Sequence, residues 1–263
     1  MVRPAHVLRV FTRGDAGGNL LGVVNDTVGL SDDQMQAIAA HLGFSETTFV
    51  DWGDRGVPMV RIFTPAVEME FAGHPLVGTA WVMNFLGPMR HDRLVCPAGE
   101  VTVRLDGATV WIDAALAQDV IMDPDPLVLT AADLPEPMRT WLVRMPKEYF
   151  IAQYPNSSTI TGLEPTMEEL KSHFGTLCFA RDESRAHMRF FAPAGGVAED
   201  PATGSAAVAL ARALVASGEP NGRLSIDQGA EIGTPSRIEL EWTPQTASIG
   251  GTVVHDRIEQ VKP

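Results

Sequence analysis

The sequence has 263 residues, of which 45% are hydrophobic and 20% are charged, and this composition is ordinary for a globular protein of one or two domains. Its formal net charge of −13 argues against nucleic acid and anionic membrane surfaces as partners, because both require a positive patch on the protein. A small anionic substrate remains compatible, because a local site can oppose the charge of the whole chain.

Signals for export or for membrane insertion are not recognised in the sequence. Residues 1–10 do not have the pattern of a signal peptide, and no apolar run approaches the roughly 18 to 20 residues that a membrane span needs. The two cysteines, Cys96 and Cys178, are too few for a disulfide framework and do not have metal-ligand spacing. We therefore expect a cytoplasmic protein in which both cysteines are small core residues.

The first element with clear predicted boundaries is an amphipathic helix over residues 31–42. Ser31 and Gln34 have the spacing of a capping box, and Gly43 is placed to end the helix. Residues 60–63 then have the composition of a strand that a following proline ends. Further strands are predicted, in chain order, over residues 99–105, 108–112, 237–242 and 252–255.

The two halves of the chain contain the same pattern of residues. The matching pairs are Arg61 and Arg189, Pro65 and Pro193, Pro75 and Pro201, and Gly78 and Gly204. The first two pairs share one spacing and the last two share a spacing two residues shorter, so a small gap separates two matching blocks. This ordered set indicates two copies of one structural unit, because a solenoid would show shorter and more numerous repeats.

Each copy also contains a segment that is apolar on almost every side, starting at about residue 75 and at about residue 201. A helix that is apolar on every side is buried on every side. We therefore predict an α+β fold of two pseudo-symmetric halves, each a curved, mostly antiparallel β-sheet or barrel wrapped around a central apolar helix. The halves are expected to be residues 1–118 and 119–263, connected through residues 121–137, with exchange of terminal strands left open.

The starts of the two central helices are the predicted place for chemistry. Proline suits the first helical position, and the N–H groups of the first turn attract carboxylates through unsatisfied donors and the helix dipole. Gly73, Gly204 and Ser205 are small enough to let a ligand approach the backbone. If the halves pack around a pseudo-twofold axis, both helix starts face one cleft that suits a small anionic metabolite.

Three blocks of the sequence resemble the signatures of the phenazine biosynthesis protein F-like family, whose fold is that of diaminopimelate epimerase. The blocks are Phe44-Ser-Glu-Thr-Thr-Phe, Phe71-Ala-Gly-His-Pro and Glu199-Asp-Pro-Ala-Thr-Gly-Ser-Ala. Gln228-Gly229 and Gly250-Gly251 are also similar, and the resemblance spans nearly the whole chain. It implies an isomerase that needs no cofactor and no metal, and it implies a homodimer.

The resemblance also implies roles for individual residues. It puts Glu46 at the position of the family's acid/base carboxylate, where an arbitrary strand glutamate would be expected to face solvent. His74 and Asp200 occupy equivalent positions in the two copies and are implied to be catalytic, although the residues alone leave open whether Asp200 is only a helix cap. Substrate contacts are implied for Asn19, Ser45, Gly73, Gly204 and Ser205. Leu20 departs from the family, which usually has a proline after the asparagine.

Other chemistries fit the sequence less well. The related two-cysteine racemases have a thiol at each helix start, where this chain has His74 and Asp200. Ser205 lacks the Gly-x-Ser-x-Gly elbow of a serine hydrolase, and the glycine-rich residues 14–19 lack the Lys-Ser/Thr of a phosphate-binding loop. The remaining histidines are scattered without metal-ligand spacing.

We therefore predict an isomerase or epimerase that moves a proton between carbons of a small carboxylate-bearing metabolite in the cleft between the halves, with Glu46 as the acid/base. The alternative is a non-catalytic protein that binds a small molecule or regulates another process through the same cleft. The joint presence of Glu46, His74, Asp200 and Ser205 favours the enzyme, because a cleft without turnover would be expected to lose some of them.

Overall fold

The computed structural model describes residues 2–52, 56–87, 89–116, 119–145 and 147–262. The chain forms two compact units, the first from residues 1–113 and 250–263 and the second from residues 114–249. Both units consist mainly of strands with few helices, so the predicted α+β class is confirmed. The predicted boundary falls between residue 118, which lies outside the described part of the chain, and residue 119, whereas the two units divide between residues 113 and 114.

The first unit is a sheet wrapped around one buried helix. Its elements are β1 (Arg3–Thr12), β2 (Asn19–Val24), α1 (Asp32–Leu42), β3 (Glu46–Asp51), β4 (Met59–Phe63), β5 (Glu68–Met69), α2 (Gly73–Phe85), β6 (Arg93–Cys96), β7 (Gly99–Asp106) and β8 (Thr109–Ala115). The pairs β2–β3 and β4–β6 are parallel, whereas β1–β2, β3–β4, β4–β5, β6–β7 and β7–β8 are antiparallel. Helix α2 contacts β1, β2, β3 and β4 and is buried along most of its length.

From β10 onward, the second unit repeats the order of strands and helices of the first unit around a second buried helix. Its elements are β9 (Asp119–Met122), α3 (Leu127–Ala131), β10 (Arg139–Arg144), β11 (Glu148–Gln153), α4 (Ser157–Thr161), β12 (Gly175–Arg181), β13 (Arg185–Ala192), β14 (Val197–Asp200), α5 (Gly204–Ala216), β15 (Gly222–Gln228) and β16 (Ser236–Trp242), with short 3-10 turns at Glu169–Ser172 and Pro193–Gly195. The parallel pairs are β11–β12 and β13–β15, which correspond to β2–β3 and β4–β6. Helix α5 contacts β9, β10, β11 and β16.

The last strand explains why the first unit includes the end of the chain. This strand, β17 (Thr246–Val261), runs antiparallel to β1 from the pair Thr12 and Thr252 to the pair Arg3 and Val261. Its hydrogen bonds to β1 therefore hold residues 250–263 in the first unit, and the second unit ends at residue 249. None of the helices in the described residues is long and apolar enough to cross a membrane.

Helix α1 was predicted with its caps, and the structure confirms them. The Ser31 side chain accepts a hydrogen bond from the Gln34 backbone, and the Gln34 side chain accepts one from the Ser31 backbone. Gly43 ends the helix in the left-handed conformation, with φ of 66°. Met35, Ile38 and Ala39 are buried against β1, β2, β3 and β4, which is the apolar stripe that the sequence predicts.

The two central helices begin at different positions from those predicted. Helix α2 begins at Gly73, so Pro75 is its third residue, whereas α5 begins at Gly204, three residues after Pro201. Both placements are compatible with proline. Its fixed φ suits the first turn of a helix, where Pro75 lies, and also suits a non-helical segment that precedes a helix, where Pro201 lies. The C-terminal end of α2 also departs from the prediction that this helix is buried on every side, since Phe85 is 45% exposed.

Residues 121–137 are more than a connection. They contain part of β9 and helix α3, and Leu129 and Leu134 are buried in the core of the second unit. The prolines of this segment lie between β9 and α3 or after α3, while the leucines supply the apolar side chains that hold the segment against the sheet.

A repeated ion pair has different burial in the two units. Arg61 on β4 binds Glu68 on β5, with side chains 32% and 36% exposed. Arg189 on β13 binds Glu199 on β14 through two hydrogen bonds of 2.9 and 2.7 Å, with side chains only 9% and 7% exposed. Arg189 also donates to the backbone carbonyl of Leu163. The second pair is therefore desolvated, and its loss would leave a buried arginine charge without its hydrogen-bonded counter-charge.

We predict that Glu199→Gln lowers the free energy of unfolding by about 3 kcal/mol, because breaking one side of a buried ion pair is costly. The matched change Glu68→Gln removes the equivalent exposed pair and is expected to cost less than about 1 kcal/mol. Urea denaturation followed by circular dichroism measures both. Equal losses for the two variants would show that burial of the second pair does not matter for stability.

Candidate active site

The catalytic glutamate that the resemblance implies lies beside the histidine of the first helix start. Glu46 is the first residue of β3 and His74 is the second residue of α2. Their side chains approach to 3.4 Å between His74 Nε2 and Glu46 Oε2, and they are 6% and 17% exposed. A carboxylate and a protonated imidazole at this distance form an ion pair, and both side chains are largely shielded from bulk water.

Parallel pairing of β2 and β3 brings two further predicted residues together. Leu21 lies opposite Glu46 in this pairing, so Asn19, the first residue of β2, and Ser45, the residue before β3, lie at neighbouring positions. The Ser45 hydroxyl donates to Asn19 Oδ1 at 3.0 Å. Asn19 is buried, with 4% exposure, and its side-chain orientation is set by this hydrogen bond.

The loop before Asn19 does not need the proline that the family usually has. Gly17 and Gly18 have φ of 65° and 86°, in the left-handed region that favours glycine. A Cβ on Gly18 would lie 2.9 Å from the carbonyl oxygen of Val10, so a side chain does not fit there. The Arg9 guanidinium donates to the backbone carbonyls of Asp15 and Gly17, which holds the loop against β1.

Hydrogen bonds and close packing fix α2 against the strand that carries Glu46. Thr79 on α2 and Thr48 on β3 are hydrogen bonded at 2.8 Å between their hydroxyl oxygens, and both side chains are buried. A Cβ on Gly78 would lie 2.4 Å from the Leu21 side chain, so only glycine permits this approach of helix and sheet. The separation of His74 from Glu46 is therefore set by packing as well as by their own contact.

The predicted residues of the second unit lie around the beginning of α5. Asp200 is the last residue of β14, Gly204 is the first residue of α5, and Ser205 is the second. The N-cap of this helix is Thr203, so Asp200 lies three residues before the cap position and does not occupy it. Thr203 donates from its hydroxyl to Asp200 Oδ2 at 2.5 Å.

Two side chains that sequence reasoning missed organise this segment. Gln228, at the end of β15, accepts from the backbone N–H of Thr203 at 3.1 Å and donates to the Asp200 backbone carbonyl at 2.7 Å. Tyr149 is hydrogen bonded to Ser205, and burial raises the pKa of Tyr149 to about 12, so its hydroxyl stays protonated at neutral pH. Gln228 belongs to a block that resembles the family, whereas no pattern in the sequence singles out Tyr149.

Neither cysteine has the surroundings of a reactive thiol. Cys96 and Cys178 are free and buried, as expected for core residues, and burial raises the pKa of Cys178 to about 12. Among the residues that the structure describes, there is no group of three or more histidine, cysteine, aspartate or glutamate side chains that could hold a metal ion.

The predicted site residues therefore form two groups, each within one unit. The first unit brings together the residues Asn19, Ser45, Glu46, Gly73 and His74 around the starts of β2, β3 and α2. The second unit brings together Asp200, Gly204 and Ser205 at the start of α5. The chemical roles that the resemblance implies for them remain predictions.

Similarity to known proteins covers almost the whole chain. The family model for phenazine biosynthesis-like proteins matches residues 8–133 and 139–257. An uncharacterised isomerase of Mesorhizobium japonicum is 34% identical over 93% of this chain and 94% of its own length. The trans-2,3-dihydro-3-hydroxyanthranilate isomerase of Pseudomonas chlororaphis is 34% identical over 88% of this chain and 87% of its own length.

A solved structure supports the same relationship at the level of the fold. The phenazine biosynthesis protein of the PhzF family from Enterococcus faecalis superimposes with a TM-score of 0.85 over 100% of both chains, at 21% sequence identity. The prediction of an isomerase is confirmed by the relatives that share this family. From the family match and the identity over most of its length, the chain belongs to the phenazine biosynthesis-like protein family.

Proposed function

We propose that this protein is a cofactor-independent isomerase that moves a proton between carbons of a small carboxylate-bearing metabolite, with Glu46 as the acid/base. The contact of 3.4 Å between Glu46 and His74 is the single observation that carries the proposal. It combines a group that can take and return a proton with a group that can donate a hydrogen bond, in a place where little water reaches either.

Glu46 is well placed to act as a base on carbon. It begins a strand whose next four residues are buried, so its backbone is held rigidly while its carboxylate is 17% exposed. A general base must reach its target in a fixed geometry, and a side chain on a rigid strand loses little entropy on reaching it. The carboxylate that accepts the proton becomes the acid that can return it.

His74 and the start of α2 supply the complementary charge. The imidazole can donate a hydrogen bond to the negative charge that develops when carbon loses a proton. The first-turn N–H groups of α2, where Gly73 has no side chain, favour a carboxylate through the helix dipole. Asn19 and Ser45 add polar groups beside Glu46. A small anionic substrate is thereby compatible with a chain of net charge −13.

The proposed reaction is balanced without any other reactant. The Glu46 carboxylate removes a proton from one carbon, the electron pair of that C–H bond moves into the conjugated system, and a proton is delivered to a second carbon. Glu46 delivers it in the simplest scheme, and Asp200 is the alternative donor. Substrate and product then have the same composition, as an isomerisation requires.

The first substrate to test is trans-2,3-dihydro-3-hydroxyanthranilate, on which the Pseudomonas chlororaphis relative is named as acting. It is a small carboxylate, which is the class of metabolite that the charge arrangement favours. The predicted cleft shared by the two halves and the predicted homodimer are also part of the proposal. The argument from Glu46 and His74 does not depend on either, because both residues belong to the first unit.

We predict that Glu46→Gln strongly reduces the rate of catalysis while it leaves substrate binding intact. Glutamine keeps the shape of the side chain but cannot accept a proton as a carboxylate does. Turnover of trans-2,3-dihydro-3-hydroxyanthranilate, and incorporation of deuterium from D2O into it, should fall about a hundredfold to ten-thousandfold. Isothermal titration calorimetry with the same compound should give an unchanged dissociation constant within about threefold.

Glu239→Gln is the matched control. Its side chain has a similar exposure of 19%, and it accepts a hydrogen bond from Ser225 on the neighbouring strand β15 of the second unit. This variant should exchange and turn over at the wild-type rate. Wild-type exchange in Glu46→Gln would remove Glu46 from the mechanism, and binding without turnover in the wild-type protein would favour the non-catalytic alternative.

A second prediction distinguishes one acid/base from two. If Glu46 both removes and returns the proton, substrate deuterated at the carbon that loses hydrogen should give product that retains part of the label. Mass spectrometry of the product from a single turnover in H2O measures this retention. Product with no retained deuterium, together with loss of turnover in Asp200→Asn, would assign delivery of the proton to Asp200.

A further inference from the structure

The two copies of the repeat differ at the place where chemistry is proposed. Sequence matching makes Asp200 the equivalent of His74. His74 lies within the first turn of α2, whereas Asp200 and the next three residues, ending at Thr203, lie outside α5. Something must hold this segment of the second unit away from the helical conformation that its counterpart adopts.

The side chain of Gln228 takes the place of helical hydrogen bonds in that segment. Its Oε1 accepts from the Thr203 backbone N–H, and its Nε2 donates to the Asp200 backbone carbonyl. Gln228 is 1% exposed, so this bridge is shielded from water. The following residue, Gly229, has φ of 80°, and a Cβ there would lie 2.6 Å from the Pro201 carbonyl oxygen, so only glycine lets the two segments approach.

The direction of each hydrogen bond follows from one fixed donor. A backbone N–H can only donate, so the Gln228 atom that faces Thr203 N must be the carbonyl oxygen. The other end of the amide is then the NH2 group, which donates to Thr203 Oγ1 at 3.0 Å. Thr203 has a single hydroxyl proton, and that proton is directed to Asp200 Oδ2. Asp200 Oδ2 is therefore a hydrogen-bond acceptor in this network.

The first unit does not have this network, and its sequence explains the difference. Met59 lies opposite Val95 in β4–β6, and its counterpart His187 lies opposite Asp227 in β13–β15. Cys96 consequently has the place of Gln228 in the first unit. A thiol cannot bridge a backbone donor and a backbone acceptor as an amide can, and the corresponding residues of the first unit are helical.

We propose that Gln228 and Thr203 are positioning residues that orient the Asp200 carboxylate toward the substrate, with Oδ2 held by the Thr203 hydroxyl and Thr203 held in turn by Gln228. This inference rests on the proposed function, in which Asp200 belongs to the site. It adds two residues whose effect on the reaction passes through Asp200 and requires no contact with the substrate.

Thr203→Val tests the network, because valine has the shape of threonine without its hydroxyl. In protein labelled with 13C-aspartate, the side-chain carboxyl resonance of Asp200, assigned with Asp200→Asn, should shift in Thr203→Val and in Gln228→Leu. With trans-2,3-dihydro-3-hydroxyanthranilate, kcat should fall about tenfold to a hundredfold in Thr203→Val, which corresponds to loss of a hydrogen bond to a charged group. Thr203→Ser keeps the hydroxyl and should restore both readouts.

Thr140→Val is the matched control, because Thr140 has a buried hydroxyl that donates to the Pro124 carbonyl at 2.8 Å in the same unit. It should change neither the Asp200 resonance nor kcat. In an Asp200→Ala background, Thr203→Val should have no further effect on the residual rate, because the residue through which it acts is gone.

An unshifted Asp200 resonance in Thr203→Val would overturn the proposal whatever the activity. A further loss of rate from Thr203→Val in the Asp200→Ala background would also overturn it, since Thr203 would then act independently. Absence of turnover in the wild-type protein would instead overturn the proposed function. The carboxyl resonance would still decide whether Thr203 and Gln228 orient Asp200.

Discussion

Each unit of this protein is built around a helix that presents almost no polar side chain to water. In α2 the residues from Gly73 to Ala80 are all buried, and the strands β1, β2, β3 and β4 surround them. A helix of this kind is stable only when apolar surface covers it on every side. The sheet of each unit must therefore curve around its helix. Strands such as β3 in the first unit and β12 in the second are buried along most of their length.

This constraint also brings the proposed catalytic groups together. Because β3 packs against α2, the residue that begins β3 lies near the first turn of the helix, and Glu46 reaches His74. The hydrogen bond between Thr48 and Thr79 fixes the same two elements one turn further along. Packing that serves to bury the helix thus sets the distance on which acid–base chemistry would depend.

Duplication provides two such helix starts, and small differences in side chains make them chemically different. An amide at Gln228 bridges the non-helical residues before α5, whereas Cys96 has the equivalent place in the first unit, where the corresponding residues belong to α2. The repeated arginine–glutamate pair diverges as well, since Arg189 is buried with its partner and Arg61 is half-exposed. One fold therefore carries a carboxylate held by hydrogen bonds in the second unit and an imidazole within a helix in the first.

The sequence by itself determined the repeat, the class of fold, the capped helix α1 and the buried central helices, because each depends on local patterns of apolar residues, glycine and proline. Its resemblance to a family also singled out Glu46, His74 and Asp200. Only the tertiary structure decided where the central helices begin, since Pro201 is compatible with a helix or with the non-helical segment that Gln228 bridges from another strand. The roles of Gln228 and Tyr149 were likewise hidden, because the hydrogen bonds that define them join residues that are distant in the chain and meet only when the sheet closes around its helix.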